Sequence, residues 1–158
     1  MKKKFFLYLS LFTSVFLIDQ ISKLWAIKNL INNSINIFPG LNLSLIFNRG
    51  IVFGTFNSNS TVLFLIVSSI IILISIFFAT YLFWRYKKNF DITPEILVLA
   101  GALSNILDRF VHHGVIDFID TYVKTYHWPT FNLADTFIFV GLFIIFAREL
   151  KEGFKNES

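Results

Sequence analysis

The chain has 158 residues, with 14 Lys and Arg against 10 Asp and Glu and a formal net charge of +4. It is 55% hydrophobic and only 15% charged, where a soluble domain averages about 25% charged; this balance argues against an ordinary soluble domain and for a membrane protein. Cysteine is absent, which excludes thiol nucleophiles, disulfides, thiolate metal sites and lipidation of the chain on a cysteine.

Four apolar segments are predicted as membrane spans, at 5–27, 61–84, 92–110 and 131–147. Each is close to the roughly 20 residues that a spanning helix needs. The first begins like a signal peptide, with Lys2, Lys3 and Lys4 ahead of an apolar run. No small-x-small cleavage site follows and the apolar stretch continues past Asp19, so an uncleaved first span is expected. Between the first two spans, Ile35, Ile37, Leu41, Leu43, Leu45 and Phe47 alternate with Asn36, Asn42, Ser44 and Ile46. That period of two predicts short strands over 35–56, with turns at Pro39-Gly40 and Asn48-Arg49-Gly50. The second span is almost uncharged, whereas the third carries Gly101, Asn105, Asp108 and Arg109.

The basic residues form three clusters: Lys2 to Lys4; Arg85, Lys87 and Lys88; and Arg148, Lys151 and Lys155. They are not interleaved with aromatics as in a nucleic-acid patch, and they read as topology. Four spans put all three clusters on one side, which is then cytoplasmic. The expected fold is a single all-α integral-membrane domain over 1–158, with four transmembrane helices and a small extracytoplasmic β-sheet. Asp117 and Asp135 then lie toward the outer side.

Ionisable groups near membrane depth are costly, about +2.5 to +3.5 kcal/mol for an Asp at a helix centre, and mark candidate functional residues. Asp19 and Lys23 stand four apart on one helix face, as a neutralising pair or as a scaffold for nearby loops. Gly101, Asn105 and Asp108 follow spacings of four and three, with Arg109 four beyond Asn105. They share one stripe of the third helix, either as a polar seam between helices or as a substrate-facing row. His112, His113 and His127 lack metal-ligand spacing. Asp117 lies in a short β-like run, and Asp135, three after Asn132, falls in the first turn of the fourth helix, where a helix-terminal role alone would account for it. Two carboxylates in an apolar site can also share a proton, one activating water and the other polarising a carbonyl. Such a pair hydrolyses an amide without Ser, Cys, metal or cofactor. Spacing alone does not show that Asp117 and Asp135 meet, nor does it prefer them to Asp108 or Asp120.

Five blocks together resemble bacterial lipoprotein signal peptidase, signal peptidase II. They are Asp19-Gln20-Ile21-Ser22-Lys23, Asn48-Arg49-Gly50, Gly101 through Arg109, Gly114-Val115-Ile116-Asp117-Phe118 and Trp128 through Asp135. Each is weak alone, but the set follows the family's order across all four segments. The resemblance implies a membrane aspartyl endopeptidase that cleaves prolipoproteins just before a diacylglyceryl-modified cysteine. It matches Asp117 and Asp135 to the catalytic pair, and Asp19, Lys23, Asn48, Gly101, Asn105, Arg109, Asn132 and Ala134 to supporting or substrate-contacting positions. It further implies cytoplasmic termini in the bacterial cell membrane, contact with membrane lipids, inhibition by globomycin-type peptides, and a monomer that needs no cofactor and binds no nucleic acid. Some positions depart from the family pattern: Ser104 stands where glycine is usual, and Ile51-Val52-Phe53 follow the Asn48 block in place of smaller residues. The rival expectation, from intramembrane Asp19, Asp117 and Asp135, is a small proton- or ion-translocating protein.

Overall fold

The computed structural model describes residues 2–50 and 60–156; the expectations for 51–56 lie outside them. In chain order the elements are α1 (Lys2–Leu30), β1 (Ile35–Phe38), β2 (Leu41–Asn48), α2 (Thr61–Lys87), α3 (Thr93–His112), β3 (Val115–Val123), β4 (Tyr126–His127) and α4 (Leu133–Asn156). The four predicted helices are present, and each runs a few residues beyond at least one of its predicted ends.

The helices bury polar and charged residues among apolar ones on their packed faces and are apolar outside. In α1 the buried residues are Tyr8, Val15, Asp19, Lys23, Ala26 and Leu30, recurring at helical spacing, while Phe6, Leu7, Ile21 and Leu24 are exposed. Only Phe64, Val67, Ser75 and Arg85 are buried in α2. This helix starts at Ser60, whose Oγ accepts the Leu63 N–H at 3.4 Å. Large apolar side chains on the exposed face suit a lipid solvent, in which polar groups must find partners inside the protein. Among the described residues α1 and α2 are long and apolar enough to cross a membrane. The helices α3 and α4 fall outside that description, and α3 carries Glu95, Asp108 and Arg109 as buried residues.

The central helix is α3, which packs on α1, α2 and α4. Pro94 opens it and His113, in the left-handed conformation at φ 55°, ends it. It lies unusually close to α4. A Cβ on Gly101 would stand 2.7 Å from the Ala134 carbonyl oxygen, and one on Gly141 2.7 Å from that of Pro94. The two contacts run in opposite sequence directions, so the helices are antiparallel.

The sheet has the order β1-β2-β3-β4 and is antiparallel throughout. Gly40, at φ 104°, makes the β1–β2 turn. The sequence alternation pointed to strands within 35–56 and only to a short β-like run at Asp117, yet two of the four strands are Val115–Val123 and Tyr126–His127. Val115, Ile116, Asp117 and Phe118 are all buried, so the run lacks the alternation that betrays a half-buried strand. The predicted alternation also fails at the end of β2. A register shift between Leu43 and Ile46 leaves both Ile46 and Phe47 exposed. Phe118, Ala26 and Leu30 pack with Leu43, Leu45, Ile119 and Leu133 to join the sheet to α1 and α4. Burying a phenylalanine of this kind is worth about 1.5–3 kcal/mol.

At the opposite end of the bundle, Tyr8, Ile92 and Ile96 form a second core with Leu82 and Tyr86. Beside it the fully buried Glu95 receives Arg85 Nε at 2.9 Å and Arg148, which ties α2, α3 and α4 together.

Candidate active site

Asp117 sits in β3 opposite Ile46 of β2, and Asp135 in the first turn of α4. The chain between them doubles back. Phe131 pairs with Ile119 through Phe131 N to Ile119 O at 3.1 Å and Ile119 N to Phe131 O at 2.8 Å. Asn132, the next residue, is thereby held against Asp117, and it is also the cap of α4.

Asn132 clamps both carboxylates. Its Nδ2 donates to Asp117 Oδ1 at 2.7 Å, and its Oδ1 accepts the Asp135 N–H at 2.9 Å. Asp135 Oδ2 in return accepts the Asn132 N–H at 3.3 Å. This is the reciprocal capping pattern, and it satisfies two backbone amides that a helix start leaves open. The sequence had suggested a cap role and a catalytic role for Asp135 as alternatives; the geometry makes Asp135 a cap and also brings it to Asp117.

Two further amides face the pair. Asn48 Nδ2 donates to Asp117 Oδ2 at 3.0 Å, and Asn105 Nδ2 donates to Asp135 Oδ1 at 2.9 Å. Each amide has its oxygen pinned by another donor. Gly50 N–H binds Asn48 Oδ1 at 2.9 Å, Lys23 Nζ binds Asn105 Oδ1 at 2.7 Å, and Asp135 N–H binds that of Asn132. With the oxygen occupied, the NH₂ group has to point at the carboxylate. The site therefore presents neutral donors to both aspartates. Burial, and after it the charge of Asp135, push the Asp117 carboxyl up to about 7.

Behind the pair lies a buried charge cluster. Lys23 Nζ meets Asp19 Oδ2 at 2.7 Å, Asp108 Oδ2 at 2.8 Å and Asn105, so its three protons are all used. That commitment leaves no free amine for direct chemistry. Each flanking carboxylate grips a backbone amide: Asp108 Oδ2 accepts the Ile116 N–H at 3.2 Å, and Asp19 Oδ1 the Ala134 N–H at 2.7 Å. Those two residues immediately precede Asp117 and Asp135.

Of the α3 stripe, Gly101 gives the close approach to Ala134, Asn105 faces Asp135, and Asp108 faces Lys23. Arg109 binds backbone carbonyls and a hydroxyl. It donates to the Arg49 carbonyl at 3.3 Å, to the Gly50 carbonyl and to Ser68 Oγ at 3.5 Å. Among the described residues it thus secures the chain after β2 to α2 and α3, and it hydrogen-bonds to neither aspartate. Asp120 is three residues from Asp117 and so on the other side of the strand. There it accepts Asn42 Nδ2 at 3.3 Å and lies 2.8 Å from His127 Nδ1. The ring of His112 packs 6.4 Å from that of Phe47. Among the described residues no group of three His, Cys, Asp or Glu could hold a metal ion.

The sequence reading missed Gln20 and the placement of Ser104. Gln20 Nε2 lies 2.8 Å from Ser104 Oγ and 3.0 Å from Asp108 Oδ1, and Ser104 Oγ donates to Asp19 Oδ2 at 2.7 Å. The available signal was the spacing: Ser104 precedes Asp108 by four residues, and so continues the buried face of α3.

The chain is similar to known proteins over most of its length. Residues 11–151 match the family model described as Signal peptidase (SPase) II. A lipoprotein signal peptidase of Thermodesulfovibrio yellowstonii is 39% identical over 139 residues, 87% of this chain and 90% of that protein. One from Pelagibacter ubique is 38% identical over 152 residues, 94% and 90% of the two chains. A solved structure described as a bacterial membrane enzyme, at 2.3 Å, superposes with a TM-score of 0.74 and 27% identity over 92% of this chain and 88% of that one. The expected alternative, a proton- or ion-translocating protein, finds no support in these matches.

Proposed function

The chain belongs to the signal peptidase II family, membrane peptidases that remove signal peptides from prolipoproteins, and on that premise we propose that Asp117 and Asp135 are its catalytic pair. The observation that carries this reading is the cradle: two buried carboxylates joined through one asparagine and met by neutral amide donors from Asn48, Asn105 and Asn132. No lysine or arginine among the described residues hydrogen-bonds to either one. A carboxylate paired with a cation is locked in its ionised form; neutral amides favour that form less strongly, and at Asp117 burial and the charge of Asp135 outweigh them and raise its affinity for a proton. With Asp117 raised to about 7, the pair holds one proton between them near neutral pH.

The chemistry follows. The ionised member takes a proton from a water molecule as that water attacks the scissile carbonyl. The protonated member donates a hydrogen bond to the carbonyl oxygen and stabilises the charge that develops there. When the tetrahedral intermediate collapses, a proton passes to the leaving amide nitrogen. The roles belong to the pair jointly. Asn132 keeps the carboxyl groups in register, Asn105 and Asn48 orient one each, and Arg109 shapes the adjoining wall of the site by holding the Arg49 and Gly50 carbonyls.

All four helices span the membrane in this reading, in a single domain with both termini cytoplasmic beside the basic clusters and the sheet on the outer side. The substrate is cut before a diacylglyceryl-modified cysteine. Each buried CH₂ is worth about 0.8 kcal/mol, so acyl chains of that length stay in the bilayer and the scissile bond is brought to a membrane-level site. The enzyme acts as a monomer, and globomycin-type peptides block it by occupying the pair.

The test is cleavage of a lipidated precursor by the purified protein in lipid or detergent. Wild type is expected to release the signal peptide, and Asp117→Asn and Asp135→Asn each to stop release while remaining folded. Turnover near the wild-type rate in both variants would refute the assignment of the pair.

A further inference from the structure

We propose that Ser104 and Gln20 are positioning residues of the peptidase reaction, a neutral bridge that fixes the separation of Asp19 from Asp108 and, through their backbone grips, of Asp135 from Asp117. This rests on the catalytic reading of the aspartate pair.

Asp19 and Asp108 come from different helices, and each holds the amide just before one member of the pair: Ala134 N–H for Asp19, Ile116 N–H for Asp108. Two links cross between them. Lys23 is the charged one, bonded to both carboxylates. The second is neutral and runs from Asp108 Oδ1 through Gln20 Nε2 to Ser104 Oγ, and on to Asp19 Oδ2.

Donor accounting sets the direction of this second link. Gln20 Nε2 only donates, so Ser104 Oγ accepts from it and must send its single proton to Asp19. Gln20 also lies 3.3 Å from the Ser104 carbonyl, which fixes its amide against α3. The link has an electrostatic reason as well. Lys23 offsets one of the two carboxylates, and the cluster keeps one negative charge while Asp19, Lys23 and Ser104 are fully buried and Asp108 is 1% exposed. A buried charge needs donors for its remaining lone pairs. Ser104, Gln20 and the two backbone amides supply them. A glycine at 104 has no donor to offer, so here this chain departs from the family pattern in a residue that touches the network.

The link acts at one remove from the chemistry, so its loss should lower kcat more than it alters substrate binding. A catalytic group displaced by a fraction of an ångström costs on the order of tenfold and more. Ser104→Ala, Ser104→Gly and Gln20→Ala should each lower kcat about tenfold with KM within about twofold of wild type. Ser104→Thr, which keeps the hydroxyl, should recover kcat to within about threefold. The double variant Ser104→Ala/Gln20→Ala should lose little more than either single one, since both interrupt one link. Ser75→Ala is the control for loss of a buried helix serine, because among the described residues Ser75 bonds only its own helix, at the Ile71 carbonyl; it should leave kcat unchanged. The measurement is steady-state cleavage of a lipidated precursor peptide, with thermal unfolding of every variant and Asp135→Asn run alongside.

Wild-type kcat in Ser104→Ala and Gln20→Ala, with Asp135→Asn inactive, would overturn the proposal and leave the catalytic pair standing. So would a loss that the threonine variant does not restore, or one that Ser75→Ala reproduces. Should Ser104→Ala not fold, half-buried Gln20 decides the matter alone. Full activity of Asp135→Asn would instead refute the catalytic reading beneath it.

Discussion

The molecule buries carboxylates at both ends of its helix bundle and treats them in opposite ways. Glu95 is gripped by Arg85 and Arg148, with Arg148 also on the Asp91 carbonyl at 3.0 Å and Tyr8 Oη on Asp91 Oδ1 at 3.3 Å. All four helix ends, or the loop joining two of them, are drawn together there. Asp117 and Asp135, at the other end, are met by asparagine amides, and the one lysine nearby is spent on Asp19, Asp108 and Asn105. An arginine clamp fixes a carboxylate as an anion and makes it a staple. An amide cradle holds a carboxylate in place without a full positive charge, so that burial and the neighbouring aspartate still raise its affinity for a proton. A buried carboxylate thus serves architecture or chemistry according to the donor placed against it.

The comparison can be broken most sharply by removing a carboxylate from each end. Asp117→Asn or Asp135→Asn should lower kcat by at least about 10³-fold, with little change in the unfolding midpoint. Glu95→Gln should do the reverse. It strips the charge that two arginines share, and breaking a buried pair costs about 3–5 kcal/mol, while kcat in the surviving folded protein stays within about twofold. Thermal unfolding and steady-state cleavage on the same samples separate the two outcomes.

Weakening the cradle rather than the carboxylates gives an intermediate effect. Asn132→Ala removes the donor to Asp117 and the cap of α4 together, and should cost on the order of 10–100-fold in kcat. It also costs about 1 kcal/mol of stability through the lost cap.

A smaller effect is expected from pH. The Asp117 carboxyl is raised to about 7 by burial and by Asp135, so its proton is lost as pH rises through that value. Cleavage should fall on an alkaline limb centred near there, by about tenfold per unit beyond it, in a kcat/KM profile, which reports the groups of the free enzyme. The stability sign agrees. Between the ordinary carboxylate value, about 4, and this raised one, the folded state holds more protons than the unfolded chain. Stability from this group is full below that window and declines through it as pH rises. The smallest change belongs to Asp120→Asn, which should leave kcat within about twofold, because Asp120 sits across the strand against Asn42 and His127.

Much of the site could be read along the chain because its signals are local. The i, i+3 relation of Asn132 and Asp135 foretold a cap, the stripe from Gly101 to Arg109 foretold a packed polar face, and Asp19 with Lys23 foretold a buried ion pair. The resemblance carried by five short blocks then selected Asp117 and Asp135 where spacing could not. The contact between Gln20 and Ser104 was illegible for the opposite reason. They stand 84 residues apart, and nothing in either neighbourhood encodes the other. Of β3 only the short β-like run at Asp117 was legible, because burial of its first four residues erases the alternation that would mark the strand's length. Arg109, as a long cation, could be assigned to a carboxylate on charge alone, and only the fold shows the Arg49 and Gly50 carbonyls within its reach.

By itself, then, the sequence determined the helices, the buried polar stripes and the residue types available for chemistry, since these follow from periodicity and side-chain character within one or two turns. Tertiary structure decided which carboxylates meet. The pairing of Phe131 with Ile119 folds the chain back, Gly101 lets α4 approach α3, and the Asp19–Lys23–Asp108 cluster grips the amides before Asp117 and Asp135. Those contacts join residues far apart along the chain, and a carboxylate's proton affinity is set by the partners that such contacts bring.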